Sequence, residues 1–287
     1  MGMSPRYRRI VVLRFLDFSE RPPFLLFVLP LDVICASIVP LGQRIQPSSA
    51  AMNFSIVIPA RDEEAYIGAC LESIEAAALP YPGLVEIIVA LNRCTDRTEE
   101  IALKHGALIV HDDRKNLAMI RNTAARQAHG EILVTIDADS AMTPNMLTEI
   151  DRLLASGKYI GGGSMIYPER MSPGIFLTLM LLAPLVLRHR VSAGLFWCFR
   201  KDFEAIRGFN ERWISAEDIE FARRLKAYGK AHGKGFKTIW KAHIRTSCRK
   251  FDKFGDWYLL KNPRLVRDVL GGKSQEAADG FFYDFER

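Results

Sequence analysis

Ile132-Leu133-Val134-Thr135-Ile136-Asp137-Ala138-Asp139-Ser140 is a run of five apolar or β-branched residues that stops at two carboxylates spaced i, i+2. The run has the composition of a buried strand. Beyond a strand end the side-chain alternation relaxes, so Asp137 and Asp139 can converge on one hard cation. Mg2+ or Mn2+ bound by few carboxylates keeps coordination positions for substrate phosphates. A simpler reading exists, in which an Asp in a strand-end turn caps the helix begun at Pro144. A DxD this short does not separate the two.

The flanking sequence repeats the same alternation. Phe54–Pro59 is a short apolar strand closed by proline, and Asp62, Glu63 and Glu64 supply an acidic first turn for a helix with Ile67, Leu71, Ile74 and Ala78 on one face. Val85–Leu91 reads as a buried strand. Thr95 to Lys104 reads as a helix, with Thr95 or Asp96 as N-cap and Gly106 past its end. Ala107–His111 is a third strand, a helix covers about Leu117 to His129, and Thr143-Pro144 starts another that stops near Gly157. Gly161-Gly162-Gly163 is expected to end a short strand. Strands alternating with helices predict an α/β fold, a mostly parallel central sheet with helices on both faces. Ligands of such sheets collect beyond the carboxyl ends of the strands. That points to Pro59–Glu64, Leu91–Asp96 and Asp137–Ser140.

Three further segments carry candidate chemistry. Ala216-Glu217-Asp218-Ile219-Glu220 opens an amphipathic helix with an acidic first turn. Its carboxylates either stabilise the helix N-terminus or provide a general base at Asp218. Arg121, in the helix after Asn116, is either a surface arginine or a planar donor array for a pyrophosphate. Residues 223–253 hold eleven Lys or Arg against one acid, Asp252. This is either a solvated basic surface or an attractor for an anionic partner. No aromatic ladder or nucleic-acid module accompanies the charge, so nucleic acid is not expected as a partner. Neither GxGxxG nor a GKS/GKT phosphate loop occurs in the chain.

In this order the segments resemble the family 2 glycosyltransferases of GT-A fold, over roughly Asn53 to Arg249. Ser55-Ile56-Val57-Ile58-Pro59-Ala60-Arg61-Asp62-Glu63-Glu64 is similar to that family's first strand and acidic turn. Cys94-Thr95-Asp96-Arg97-Thr98 resembles its Ser-Thr-Asp-Gly-Thr stretch, and Asp137-Ala138-Asp139 its DxD site. Gly194 to Phe199, Arg207-Gly208-Phe209-Asn210-Glu211 with Trp213 beyond it, and Glu217-Asp218 follow its acceptor side. The resemblance implies a nucleotide-diphosphate sugar bordered by Pro59, Arg61 and Glu63, with Asn92 near the base, Arg121 at the ribose or diphosphate and Asp137 at the ribose. It implies a divalent cation on Asp139, with His243 as a further ligand. Asp218, beside Glu217, is implied as the base of an inverting displacement on an acceptor hydroxyl, with Gly194 and Trp213 on the acceptor side. Thr246-Ser247-Cys248-Arg249-Lys250 resembles a basic segment that closes over the diphosphate in some relatives. Two departures stand out: Leu91-Asn92 replaces a frequent Asp-Asp pair, and Arg61 replaces a frequent tyrosine. A sugar nucleotidyltransferase is disfavoured because Pro59–Glu64 offers acids instead of a basic phosphate loop. A non-catalytic nucleotide-sugar-binding or membrane-adaptor protein is disfavoured by Asp137, Asp139 and Asp218 occurring together.

The expected organisation is an N-terminal segment 1–51, a catalytic domain 52–255 and a tail 256–287. Residues 1–51 carry six Arg and three acids ahead of and around an apolar run from Phe24 to Leu41 broken by Pro30, Asp32 and Pro40. The run reads as an upstream extension, an interfacial anchor or a span. Met52, just before the first patterned strand, favours the first of these as the natural start. Gly174 to Leu187 is uncharged over 14 residues, about 21 Å of helix, short of a bilayer core. It reads as a core helix or as an interfacial helix on a membrane surface. Five scattered cysteines, an odd number with no CxxC, point to a reducing, cytoplasmic setting.

Overall fold

The computed structural model describes residues 51–189 and 194–266. In chain order the strands are β1 (Phe54–Ala60), β2 (Val85–Leu91), β3 (Leu108–His111), β4 (Ile132–Ile136), β5 (Ser140–Met142), β6 (Tyr159–Pro168), β7 (Leu195–Phe199) and β8 (Gly235–Thr246). The helices are α1 (Ile67–Ala78), α2 (Thr98–Lys104), α3 (Leu117–Ala125), α4 (Met146–Ala155), α5 (Pro173–His189), α6 (Arg200–Ala205), α7 (Glu217–Ala231), α8 (Arg249–Phe254) and α9 (Tyr258–Lys261).

The strands form one eight-stranded sheet in the order β3-β2-β1-β4-β7-β6-β8-β5. The half built from β3, β2, β1 and β4 is parallel throughout. Every residue of β1 and β4 is buried, because α1 covers one face and α3 the other. β7 then runs antiparallel between β4 and β6, while β6 and β8 pair in parallel. The order reverses at β1/β4, with β2 and β3 to one side and the later strands to the other. A crevice therefore opens at the carboxyl ends there.

Local hydrogen bonds shift two boundaries from the sequence reading. Asp62–Glu64 do not form the first turn of α1, which starts at Ile67. They reach across to the loop after β2 instead. Asp62 Oδ1 accepts from Thr95 N at 2.7 Å, Glu63 N donates to Thr98 Oγ1 at 2.7 Å, and Glu64 N donates to Asp96 Oδ2 at 2.8 Å. These bonds hold Thr95–Arg97 out of helical geometry, so α2 begins at Thr98. Asp96 still accepts from Thr98 N at 3.0 Å.

The triple glycine lies inside β6, not at the end of a short strand. A Cβ on Gly162 would stand 1.7 Å from the Lys237 carbonyl and 2.6 Å from the Trp197 ring. That position admits no side chain because β8 and the buried indole close on it from two directions.

Candidate functional site

β4 delivers Asp137 and Asp139 into a turn closed by Ser140 N donating to the Asp137 carbonyl at 3.1 Å. The turn keeps both acids at the sheet's carboxyl edge. They line a cavity of about 220 Å³ shared with Pro59 near the end of β1, Arg61 and Glu63 beyond it, and Asn92 beyond β2. The opposite wall is the N-terminus of α7, where Glu217 and Asp218 also line the cavity. Ala216, just before that helix, has φ +53°, a left-handed conformation disfavoured for a side chain with a Cβ. Asp62 and Arg93, in the loops after β1 and β2, share this feature.

Two arginines organise the acids. Arg121 on α3 is almost fully buried and donates from Nη2 to Asp137 Oδ1 at 2.6 Å and from Nη1 to Glu217 Oε1. Its Nε is buried with no hydrogen-bond partner among the described residues. Arg249, the first residue of α8, donates to Glu63 Oε1 at 2.8 Å, pairs with Asp139 Oδ2 at 3.0 Å and lies over the Tyr66 ring. Each guanidinium joins carboxylates from distant parts of the chain.

The carboxylates titrate accordingly. Burial raises Glu217 above the usual range, opposed by Arg121 and reinforced by the neighbouring Asp218 charge. Burial likewise raises Asp218, again opposed by Arg121. Glu217 is locked onto Arg121. Asp218, partly open to solvent, accepts from Ile219 N at 2.7 Å.

Several sequence candidates take other places. His243 is not among the residues lining the cavity; its ring packs edge-on against Tyr167 at 4.8 Å. The reason is its position on β8, four extended residues, or roughly 13 Å, before Ser247, whose N–H donates to the Asp139 carbonyl. Gly194 has φ +86°, a Cβ there would meet Ile166 and Ile244, and the residue is outside the cavity lining. Trp213 is also outside the cavity lining, and its carbonyl accepts from Asn116 Nδ2 at 3.2 Å. Asn92 reaches the cleft, but its amide nitrogen donates to the Asp112 and Arg114 carbonyls and its oxygen accepts from Arg93. Its hydrogen bonds fix the loop after β3. Within its basic segment Arg249 carries no local signal that sets it apart. Only its two acidic partners, 186 and 110 positions earlier in the chain, reveal it.

A cation at this cleft finds a hard oxygen donor in Asp139, with Ser247 Oγ 3.3 Å from its Oδ2. These donors suit Mg2+ or Mn2+ completed by phosphate oxygens. Among the described residues the one group of three His, Cys, Asp or Glu side chains close enough together to hold an ion is Asp62, Cys94 and Asp96. Its carboxylates are engaged in the loop-to-loop bonds described above.

Residues 55–184 match the family profile described as glycosyl transferase family 2. A 110-residue stretch, 38% of the chain, is 31% identical to the low-salt glycan biosynthesis hexosyltransferase Agl6 of Haloferax volcanii, covering 26% of that protein. A 102-residue stretch, 34% of the chain, is 28% identical to an uncharacterized glycosyltransferase of Mycobacterium tuberculosis, covering 44% of it. The matches thus span a quarter to under half of these relatives' length. Among solved structures, the mannosyltransferase PcManGT from Pyrobaculum calidifontis in complex with GDP-Man and Mn2+ superposes with TM-score 0.54 at 19% identity, over 77% of this chain and 67% of that one. S. aureus TarS 1-349 in complex with UDP-GlcNAc gives TM-score 0.54 at 18% identity, over 82% and 71%. These likenesses establish the GT-A fold, and residues 55–184 are similar to the family 2 glycosyltransferases.

Proposed function

We propose that this protein transfers a sugar from a nucleoside-diphosphate donor to an acceptor hydroxyl in the cleft between β1, β4 and α7. One observation carries the reading: Asp137 and Asp139 share one cavity with Glu217 and Asp218, across an intervening stretch of almost eighty residues. The solved relatives named above hold GDP-Man with Mn2+ and UDP-GlcNAc, which supports a nucleotide sugar as the donor here.

In the proposed reaction the acceptor oxygen attacks the anomeric carbon. The bond from that carbon to the diphosphate oxygen breaks, and its electron pair leaves with the nucleoside diphosphate. Asp218 takes the acceptor proton, its affinity for it increased by burial. Attack opposite the leaving group inverts the anomeric centre. Glu217 positions Arg121 and does not itself take the proton, because its carboxylate is already held by that guanidinium. Arg121, Arg249 and Lys250 place positive charge where the leaving group gains negative charge. A divalent cation, when bound through Asp139, supplies Lewis-acid stabilisation of the same diphosphate.

The test is donor turnover across a panel of nucleotide sugars with Mn2+ or Mg2+, using the wild type, Asp139→Ala and Asp218→Asn. Asp218→Asn is expected to lose transfer by about 10²–10⁴-fold while still binding nucleotide. Asp139→Ala is expected to lose the metal-dependent thermal shift given by the nucleotide. Nucleotide binding with no turnover by the wild type would sink the proposal.

A further inference from the structure

We propose that the outward face of α5, with Trp257 and the basic residues around α9, docks on an anionic lipid bilayer. Over residues 173–181, the part of α5 whose side chains are described, only a narrow face is packed. Ile175 and Thr178 are buried, and Gly174 sits so close to Asp256 that a Cβ would come within 2.7 Å of its carbonyl oxygen. The rest of the described helix surface is apolar and open. Phe176 is 55% exposed, Leu177 45%, Leu179 42%, Met180 55% and Leu181 65%. A surface helix ordinarily carries polar residues at such positions, and a contiguous apolar face marks an interaction site. At 17 residues α5 is about 25 Å long, and among the described residues no helix is long and apolar enough to cross a membrane. It suits a position lying in an interface.

Charge selects the occupant. Arg170 ties down both acids of the neighbouring segment, pairing with Asp252 and with Asp256 at 2.8 Å. Lys253, Lys261 and Arg264 are exposed alongside, and Trp257 is 47% exposed. An apolar helix bordered by bases and an exposed indole matches an anionic lipid surface. A second copy docked face to face would bring these bases against themselves. Residues 1–50, with six Arg against three acids, have the same sign and complement the face no better.

The segment holding these bases begins with Arg249 and Lys250 at the cleft. Docking therefore sets the cleft within a few helical turns of the lipid, where a lipid-borne acceptor hydroxyl can reach it. That consequence rests on the transferase reading, whereas the docking itself does not.

The full chain is sedimented with vesicles of phosphatidylcholine alone or with about 30% phosphatidylglycerol, at low and high salt. The wild type is expected to bind the anionic vesicles at least tenfold more tightly than the neutral ones, and less tightly as salt rises. Phe176→Glu/Leu181→Glu is expected to lose at least tenfold in binding with its melting temperature unchanged. Lys261→Glu/Arg264→Glu is expected to lose the anionic preference. Asp218→Asn should bind vesicles like the wild type, so a failure of transfer and a failure of docking are read separately. The proposal is overturned if the wild type ignores anionic vesicles. It is equally overturned if both double variants bind as the wild type does, or if charging α5 splits a dimer while vesicle binding persists.

Discussion

Replacing Arg121 with methionine tests how the cleft is held together. Its guanidinium and the Glu217 carboxylate are each only 7% exposed, whereas Asp137 is 38% exposed. Removing one partner of a buried ion pair costs about 3–5 kcal/mol, because the other charge stays buried without compensation. Asp137 can rehydrate, so its share is small. Glu217 can limit the penalty by taking up a proton, which places the expected loss near the lower end, roughly 3 kcal/mol. For a domain of this size that lowers Tm by about 6–12 °C. The loss depends on pH. The folded Glu217 carboxyl already titrates above its usual 4.5, so its contribution to stability is full below that value and is lost as pH rises through the folded value. Without Arg121 the folded value rises further, so the deficit should be smaller at about pH 5 than at about pH 8. Urea unfolding followed by circular dichroism at both pH values measures this. Adding Glu217→Gln should recover most of the loss at the higher pH. A deficit under about 1 kcal/mol, or one that does not change with pH, would refute the account of a desolvated Arg121–Glu217 pair.

Other expectations follow from the same physics. Transfer should rise with pH through the elevated Asp218 titration, and Arg121→Met should move that acid limb upward, since Arg121 is what holds Asp218 down; initial rates across pH would show it, and an unmoved limb would remove Asp218 as the base. Asp112, held down to about 2 by Arg114 and by the Thr123 hydroxyl, contributes stability above its usual 3.8 that fades as pH falls toward 2. Asp112→Asn should therefore cost roughly 1–2 kcal/mol near neutrality, discounted for the half-exposed Arg114, and progressively less in acid. Gly162→Ala should destabilise by about 1–3 kcal/mol or more, read by chemical denaturation, because β8 must separate from β6 to admit the methyl.

Much of this protein is written in local sequence. The apolar runs of β1, β2 and β4 and the acids that follow β4 are short-range signals, and the sheet's carboxyl-edge rule turns them into a location for the site. Boundaries were less legible. The acids Asp62–Glu64 carry a helix-start pattern, yet their hydrogen bonds go to Thr95–Thr98, more than thirty residues away. A local window cannot weigh that competition. His243 shows the same limit from the other side: its chemistry suits a metal ligand, but the register of β8 against β6 pairs it with Met165 and turns its ring to Tyr167.

The sequence alone determined the α/β architecture, the acidic strand end and the basic C-terminal stretch, because periodicity, composition and turn chemistry act over a few residues. Tertiary structure decided which charges meet. Arg121 joins Asp137 to Glu217, and Arg249 joins Glu63 to Asp139, through pairings that exist only once β1, β4 and α7 share an edge. It also decided that α5 keeps most of its described apolar surface outside the core. The physical reason is the same in both cases. Burial and Coulomb attraction depend on distance in space, and distance along the chain does not fix it.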